Sequence, residues 1–200
     1  MKYELIVFDM DGTLTLDALD FESLRQELGL QMRHPILEWI DTLDEEKRQE
    51  AWDTLLHHEA VAAEKCLLRP GADTVVKRLR DRGLKTALLS RNSQRSVETV
   101  LRRYPMFFDR VASRDQAPMK PAAESILKIC RALQISPDKT LMVGDYVFDL
   151  QVANNAGTHS VLLVEPDDAI PDFAHQANYV LRSLEDIESL LDAPDNVAGA

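Results

Sequence analysis

Leu5-Ile6-Val7-Phe8-Asp9-Met10-Asp11-Gly12-Thr13-Leu14-Thr15 is the stretch whose reading decides the fold. Its four leading apolar residues predict a buried parallel strand. Such a strand delivers two carboxylates to its carboxyl end, where open α/β sheets bind ligands. Residues two apart on a strand point the same way. Gly12, however, marks a chain that is already turning, which leaves Asp9 and Asp11 free to take different roles. Paired carboxylates before a Gly-Thr turn suit metal binding together with a nucleophile and a proton donor. An ordinary strand-end turn uses the same residue types, so this stretch alone leaves both readings open.

Three later segments bear on the choice. Lys85-Thr86-Ala87-Leu88-Leu89-Ser90 is a second apolar run, ending in a hydroxyl. Lys120-Pro121 opens a helical pattern, with Pro121 expected in the helix's first turn. Lys139-Thr140-Leu141-Met142-Val143 is a third apolar run, ending at Gly144-Asp145 with Asp149 beyond. Acid pair, hydroxyl, lysine and acid pair, in that order, resemble the four-motif signature of the haloacid dehalogenase-like (HAD) hydrolase superfamily. The resemblance covers Asp9 to about Gly157. Each motif is short and weak alone; their joint order and spacing carry the match.

Strands are expected at about residues 3–9, 85–90, 110–112, 139–144 and 159–164. Helical patterns alternate with them, as in βα units around a parallel sheet, and right-handed crossovers make this a three-layer sandwich. Val75, Val76, Leu79 and Leu84 suit a covering helix closed at Gly83. Ser93 suits the N-cap of the next helix, which runs toward Tyr104. Asp186 to Asp192 suits a terminal helix, and Pro194 to Ala200 a frayed tail. Between Thr15 and Arg69 the strand pattern vanishes. Phe21, Leu24 and Leu28, then Trp52, Leu55, Leu56, Ala60 and Ala63, recur at helical spacing, with Glu46–Glu50 and Glu59–Lys65 placed on the solvated side. The expected fold class is α/β: a Rossmann-like core of residues 1–15 and 70–200 and a helical insertion at 16–69. That insertion resembles the small α-helical cap found in the superfamily between the first two motifs.

The chain has 200 residues, 45% of them hydrophobic, and a net charge of −11. That charge argues against a nucleic-acid polymer as partner, since phosphate backbones need basic surface. A small phosphorylated metabolite stays compatible, because its binding depends on local charge. No apolar run approaches the roughly 18 residues of a membrane span, and the first residues do not resemble a signal peptide. Cys66 and Cys130 are isolated, without metal-ligand spacing, and read as reduced core residues of a cytoplasmic protein. Monomer and homodimer are both open.

The resemblance implies roles residue by residue. Asp9 stands at the nucleophile position, where a carboxylate attacks phosphorus and forms an aspartyl phosphate. Asp11 matches the general acid and base. Members lacking an acid there resemble dehalogenases, phosphonatases or ion pumps, so its presence implies phosphoryl transfer. Ser90 would donate to a phosphate oxygen, and Lys120 would neutralise Asp9 and the transferring group. Asp145 matches the carboxylate ligand of magnesium, alongside the Asp9 side chain and the Asp11 carbonyl; as a residue it also suits an N-cap. Asp149 would support the metal site or Lys120. Many relatives have Asn directly after the hydroxyl; here Arg91 intervenes before Asn92. Arg91 suits a phosphate clamp and equally a solvent-facing lead-in to the helix. Tyr146 replaces a small residue common in relatives. His34, His57, His58, Arg25, Arg33 and Lys65 lie in the insertion, the histidines without metal spacing.

The function these features imply is magnesium-dependent hydrolysis of a small phosphomonoester of the phosphoglycolate, sugar-phosphate or nucleoside-monophosphate type. A phosphomutase would use the same residues and differ in product. A non-catalytic binding module on this fold would be signalled by loss of an acid, and none is lost.

Overall fold

The computed structural model describes residues 2–30, 34–116 and 118–192. Arg33 and the segment from Pro194 to Ala200 lie outside them. Six strands form one parallel sheet: β1 (Leu5–Phe8), β2 (Lys85–Leu89), β3 (Arg110–Ala112), β4 (Thr140–Gly144), β5 (His159–Leu163) and β6 (Tyr179–Leu181). Their order is β3-β2-β1-β4-β5-β6. The winding therefore reverses between β1 and β4, and a crevice opens beyond their carboxyl ends. Phe8 is in register with Val143, so the chains leaving β1 and β4 emerge side by side.

Alternation along the strands feeds two apolar layers. Ile6, Phe8, Leu88 and Val143 pack with Val75, Val76 and Leu79 of α4 (Ala72–Asp81), Val97 and Val100 of α5 (Gln94–Arg103), and Ile187 of α8 (Asp186–Asp192). Leu5, Val7, Ala87, Leu89 and Met142 face the other way, onto α6 (Ala123–Leu133) and α7 (Val147–Ala156). Each side chain fully buried in these layers stabilises the fold by about 1.5–3 kcal/mol. A charge at Val7 or Leu88 would break a layer. The three-layer α/β sandwich read from the sequence is the fold observed. Ser93 caps α5, its hydroxyl accepting the Ser96 N–H at 3.3 Å.

The named elements among the described residues of 16–69 are all helices: α1 (Phe21–Glu27), α2 (Ile36–Ile40) and α3 (Glu45–Lys65). Asp20 and Asp44 cap α1 and α3, accepting from the Ser23 and Lys47 N–H groups. Leu24, Ile36, Leu37, Ile40, Ala51 and Leu55 form an apolar cluster separate from the sheet's two layers. An isolated bridge between Thr15 and Leu68 closes the base of the excursion.

Three details depart from the sequence reading. β6 was not anticipated. Pro121 precedes α6 rather than starting it: the helix begins at Ala123, after a turn in which the Ala122 N–H donates to the Met119 carbonyl. Glu59, placed on the solvated face of α3, is only 3% exposed; its partner is Arg114, described below. Cys66 and Cys130 are buried and free. Among the described residues no helix is long and apolar enough to cross a membrane.

Candidate active site

Asp9 and Asp145 each follow directly on a central strand, β1 and β4, while Ser90 follows β2 and Lys120 lies in the turn before α6. The Asp9 N–H continues the ladder, donating to the Val143 carbonyl at 2.9 Å. Two glycines let the acids close in. A Cβ on Gly12 would lie 2.3 Å from Asp145 Oδ2, and one on Gly144 would lie 2.2 Å from Asp149 Cγ. Sheet topology and these two bare backbones thus bring together acids that are far apart in sequence.

Lys120, 2% exposed, joins two of them. Its Nζ is 2.7 Å from Asp9 Oδ1 and 2.6 Å from Asp149 Oδ1. The other oxygen of Asp149 accepts the Tyr146 N–H at 3.1 Å, so both oxygens of that carboxylate are engaged. Asp145 accepts from Thr13 Oγ1 at 3.1 Å. Asp11 Oδ2 accepts from Asn92 Nδ2 at 2.6 Å. The amide that Arg91 displaces by one position in sequence therefore ends on the second acid of the pair. Ser90 is buried, and its hydroxyl oxygen accepts the Asn92 N–H at 3.1 Å.

The electrostatics follow from burial. Desolvation, reinforced by Asp149 and Asp11 and opposed by Lys120, pushes the Asp9 carboxyl up to about 7. Burial, opposed by the Asn92 hydrogen bond and aided by Asp17, lifts Asp11 to about 6. Burial, Asp9 and Asp149 hold Asp145 well above the ordinary carboxylate range. Burial pulls the Lys120 ammonium down, but Asp149 and Asp9 outweigh it and hold it above the usual lysine range.

Arg91 turns its fork away from these acids. One nitrogen meets both oxygens of Glu38 on α2, at 2.7 and 2.8 Å, and another donates to the Lys120 carbonyl at 2.7 Å. The guanidinium lies 4.2 Å from the Phe148 ring centroid. Tyr146, half exposed, meets Phe148 and Phe173 edge-on. His58 is bonded to Glu27 at 2.8 Å, and Arg25 donates to the His34 carbonyl.

Two groups escaped the sequence reading. Arg69 donates to the carbonyls of Thr13 and Gly12 at 2.8 and 2.5 Å and pairs with Glu165 at 2.6 Å. It thereby braces the turn that carries Asp11. The buried Glu59–Arg114 pair braces the turn that carries Asn92. Neither has a local signal, because each depends on partners distant in sequence. A cleft of about 260 Å³, lined by Asp17, Arg69, Glu165 and Phe173, opens beside Gly12 and Asp145. A second hollow of about 450 Å³, at Trp52, Leu56 and Met119, touches none of the paired acids.

Asp9, Asp145 and Asp149 each offer an oxygen within 4.8 Å of the others. Three carboxylates, two of them on one ammonium, leave an excess of negative charge in a desolvated place, and all the donors are hard oxygens. That donor set fits a hard divalent cation such as magnesium and lacks the nitrogen or sulfur that would favour zinc.

A family model of haloacid dehalogenase-like hydrolases matches residues 3–157. A hydrolase of Saccharomyces cerevisiae is 32% identical over 199 residues, covering 96% of this chain and 91% of its own. A haloacid dehalogenase-like hydrolase domain-containing protein of Arabidopsis thaliana is 30% identical, covering 94% and 83%. A phosphoglycolate phosphatase of Psychrobacter arcticus is 24% identical, covering 92% and 98%. The solved structure of a predicted phosphatase from Clostridium acetobutylicum superposes with a TM-score of 0.79 at 19% identity, covering 96% of this chain and all of that one. A parallel sheet with its acids at the switch point places the chain among α/β proteins whose ligands meet the strands' carboxyl ends. The chain belongs to the haloacid dehalogenase-like hydrolase family.

Proposed function

We propose that the protein is a magnesium-dependent phosphomonoesterase acting on a small phosphorylated metabolite of the phosphoglycolate, sugar-phosphate or nucleoside-monophosphate type. The observation that carries this reading is the Asp9–Lys120–Asp149 triad beside Asp11, with Asn92 on Asp11 at 2.6 Å. Asp9 attacks phosphorus: its oxygen forms the new P–O bond as the bond to the leaving oxygen breaks. Asp11 gives its proton to that oxygen, then takes one from the water that hydrolyses the aspartyl phosphate. Burial, which holds the Asp11 carboxyl above the ordinary carboxylate range, favours its duty as proton donor. Lys120 favours the charged form of Asp9 and offsets charge on the phosphoryl group, while Asp149 holds Lys120 in place. Ser90 turns its hydroxyl toward the phosphate, and Asn92 fixes Asp11. Asp9, Asp145 and the Asp11 carbonyl would hold magnesium, which when bound supplies charge neutralisation of the phosphate oxygens.

In this reading residues 1–15 and 70–200 form the catalytic core and 16–69 the cap that covers the leaving group and excludes water. Relatives named phosphoglycolate phosphatase and pyrophosphatase support phosphate chemistry. The test is hydrolysis of a panel of phosphometabolites and pyrophosphate, with and without magnesium. Release of phosphate from at least one monoester, dependent on the metal, is expected. No release from any of them overturns the proposal, and transfer to a second sugar hydroxyl would assign a mutase instead.

A further inference from the structure

Asn92 reaches Asp11 because the turn from Ser90 to Ser93 is held from behind. The Asn92 carbonyl accepts the backbone N–H of Arg114 at 3.0 Å. The Arg91 carbonyl accepts Arg114 Nη1 at 2.9 Å, and the Ser93 N–H donates to Glu59 Oε2 at 3.1 Å. Glu59 and Arg114 are themselves joined at two points, Nη1 to Oε1 at 2.5 Å and Nη2 to Oε2 at 3.1 Å. Their side chains are 3% and 6% exposed. Trp52 packs against the guanidinium, its ring centroid 4.9 Å away. Both peptides flanking Asn92 are thus fixed by this pair, and Glu59 and Trp52 belong to α3.

A buried ion pair is a poor device for stability alone, since apolar replacements of similar volume are often neutral or better. Its side-chain bonds here land on Arg91 and Ser93, the two residues that flank the Asn92 amide. We infer that Glu59 and Arg114 are positioning residues for the proton transfer of Asp11. They aim Asn92 at Asp11 Oδ2, and they make that transfer depend on α3 being seated against the sheet. Oδ2 accepts from Asn92 at 2.6 Å, so Oδ1, which lies 3.5 Å from Thr15 Oγ1, is the oxygen left to carry the transferable proton. It passes to the leaving oxygen as the P–O bond breaks, leaving Asp11 a carboxylate. The inference rests on the phosphomonoesterase reading above.

The test compares kcat/KM for an alkyl phosphate, whose leaving oxygen needs that proton, with kcat/KM for 4-nitrophenyl phosphate, whose leaving phenolate does not. Glu59→Gln is the first variant. The double variant Glu59→Leu/Arg114→Met removes both charges and serves where the first fails to fold. The alkyl ester should lose about 100-fold, the range of a displaced general acid, while the aryl ester stays within about threefold. Equal losses on both esters, or none on either, overturn the inference. A readout independent of turnover is the Asn92 side-chain amide resonance, assigned by its loss in Asn92→Ala. It should move in both variants, and an unmoved resonance overturns the inference as well. Failure of the unaltered protein to hydrolyse either ester would count against the phosphomonoesterase reading, while the resonance still decides the placement of Asn92.

Discussion

Gly12→Ala is expected to injure the site much more than the fold. Gly12 has a φ of +70°, a left-handed conformation that costs a residue bearing a Cβ about 1–2 kcal/mol. For a domain of this size that is a fall in Tm of about 2–8 °C. The collision is a separate effect. The added carbon would meet Oδ2, Cγ and Oδ1 of Asp145 at 2.3, 2.5 and 2.8 Å, where ordinary contacts begin at 3.4 Å. The carboxylate must therefore retreat by about 1 Å, a misplacement of the size that lowers rates about 100-fold. Gly157 is the matched control, with the same φ of +70° and nothing within 4 Å. Gly157→Ala carries the strain without the clash. Thermal melts, kcat/KM on the best phosphoester and a magnesium titration of both variants separate the two terms. Similar melting losses are expected, with only Gly12→Ala losing about 100-fold in kcat/KM and needing more magnesium. If the two variants agree in activity within about threefold, Asp145 is not tied to the chemistry, and the metal assignment fails with it.

Asp9→Asn keeps the shape but removes the attacking charge. Turnover should fall by several orders of magnitude with an unchanged circular dichroism spectrum, and activity within about tenfold of the unaltered enzyme would refute the nucleophile assignment. Chelation should abolish activity, magnesium should restore it, and Asp145→Ala should prevent restoration; full activity in excess chelator would exclude the metal role. Lys120→Met leaves Asp9 and Asp149 as buried carboxylates without their shared ammonium, so stability should drop by about 3–5 kcal/mol in denaturant melts. A loss below about 1 kcal/mol would show that the triad is not the tight arrangement described. Alanine at Arg25, Arg33, His34, His57, His58 or Lys65 should, for at least one position, lower kcat/KM on the best substrate while sparing a small aryl phosphate. Six unchanged ratios would move specificity to the core rim at Arg91 and Tyr146.

The central strands were legible because each is a short apolar run buried on both sides, ending in chemically distinctive residues. β6 was not: Tyr179–Leu181 has no buried residue, whereas β3, of the same length at the opposite edge, ends on the buried Ala112. α3 misled for a related reason. It presents Ala51 and Leu55 to one apolar cluster and Ala63 to another, and a helix buried on two sides has no clean polar face. Glu59 therefore reads as solvated until Arg114, 55 residues away, is brought against it. At the site, acids, hydroxyl and lysine could be picked out from motif order. The Asn92–Asp11 bond spans 81 residues, and the Arg69 brace spans 56 to the Thr13 carbonyl. Such contacts are products of topology and leave no periodic trace along the chain.

Two of the ion pairs that cross the seam between the helical segment and the sheet are of unlike character. Glu59–Arg114 is dry, at 3% and 6% exposure, whereas Glu38 in the Arg91 pair is 45% exposed. Dissolved salt screens a wet pair within about 10 Å and leaves a dry one nearly untouched. The seam thus has a fixed jamb and a latch: rising ionic strength frees α2 at Arg91 first, while α3 stays anchored.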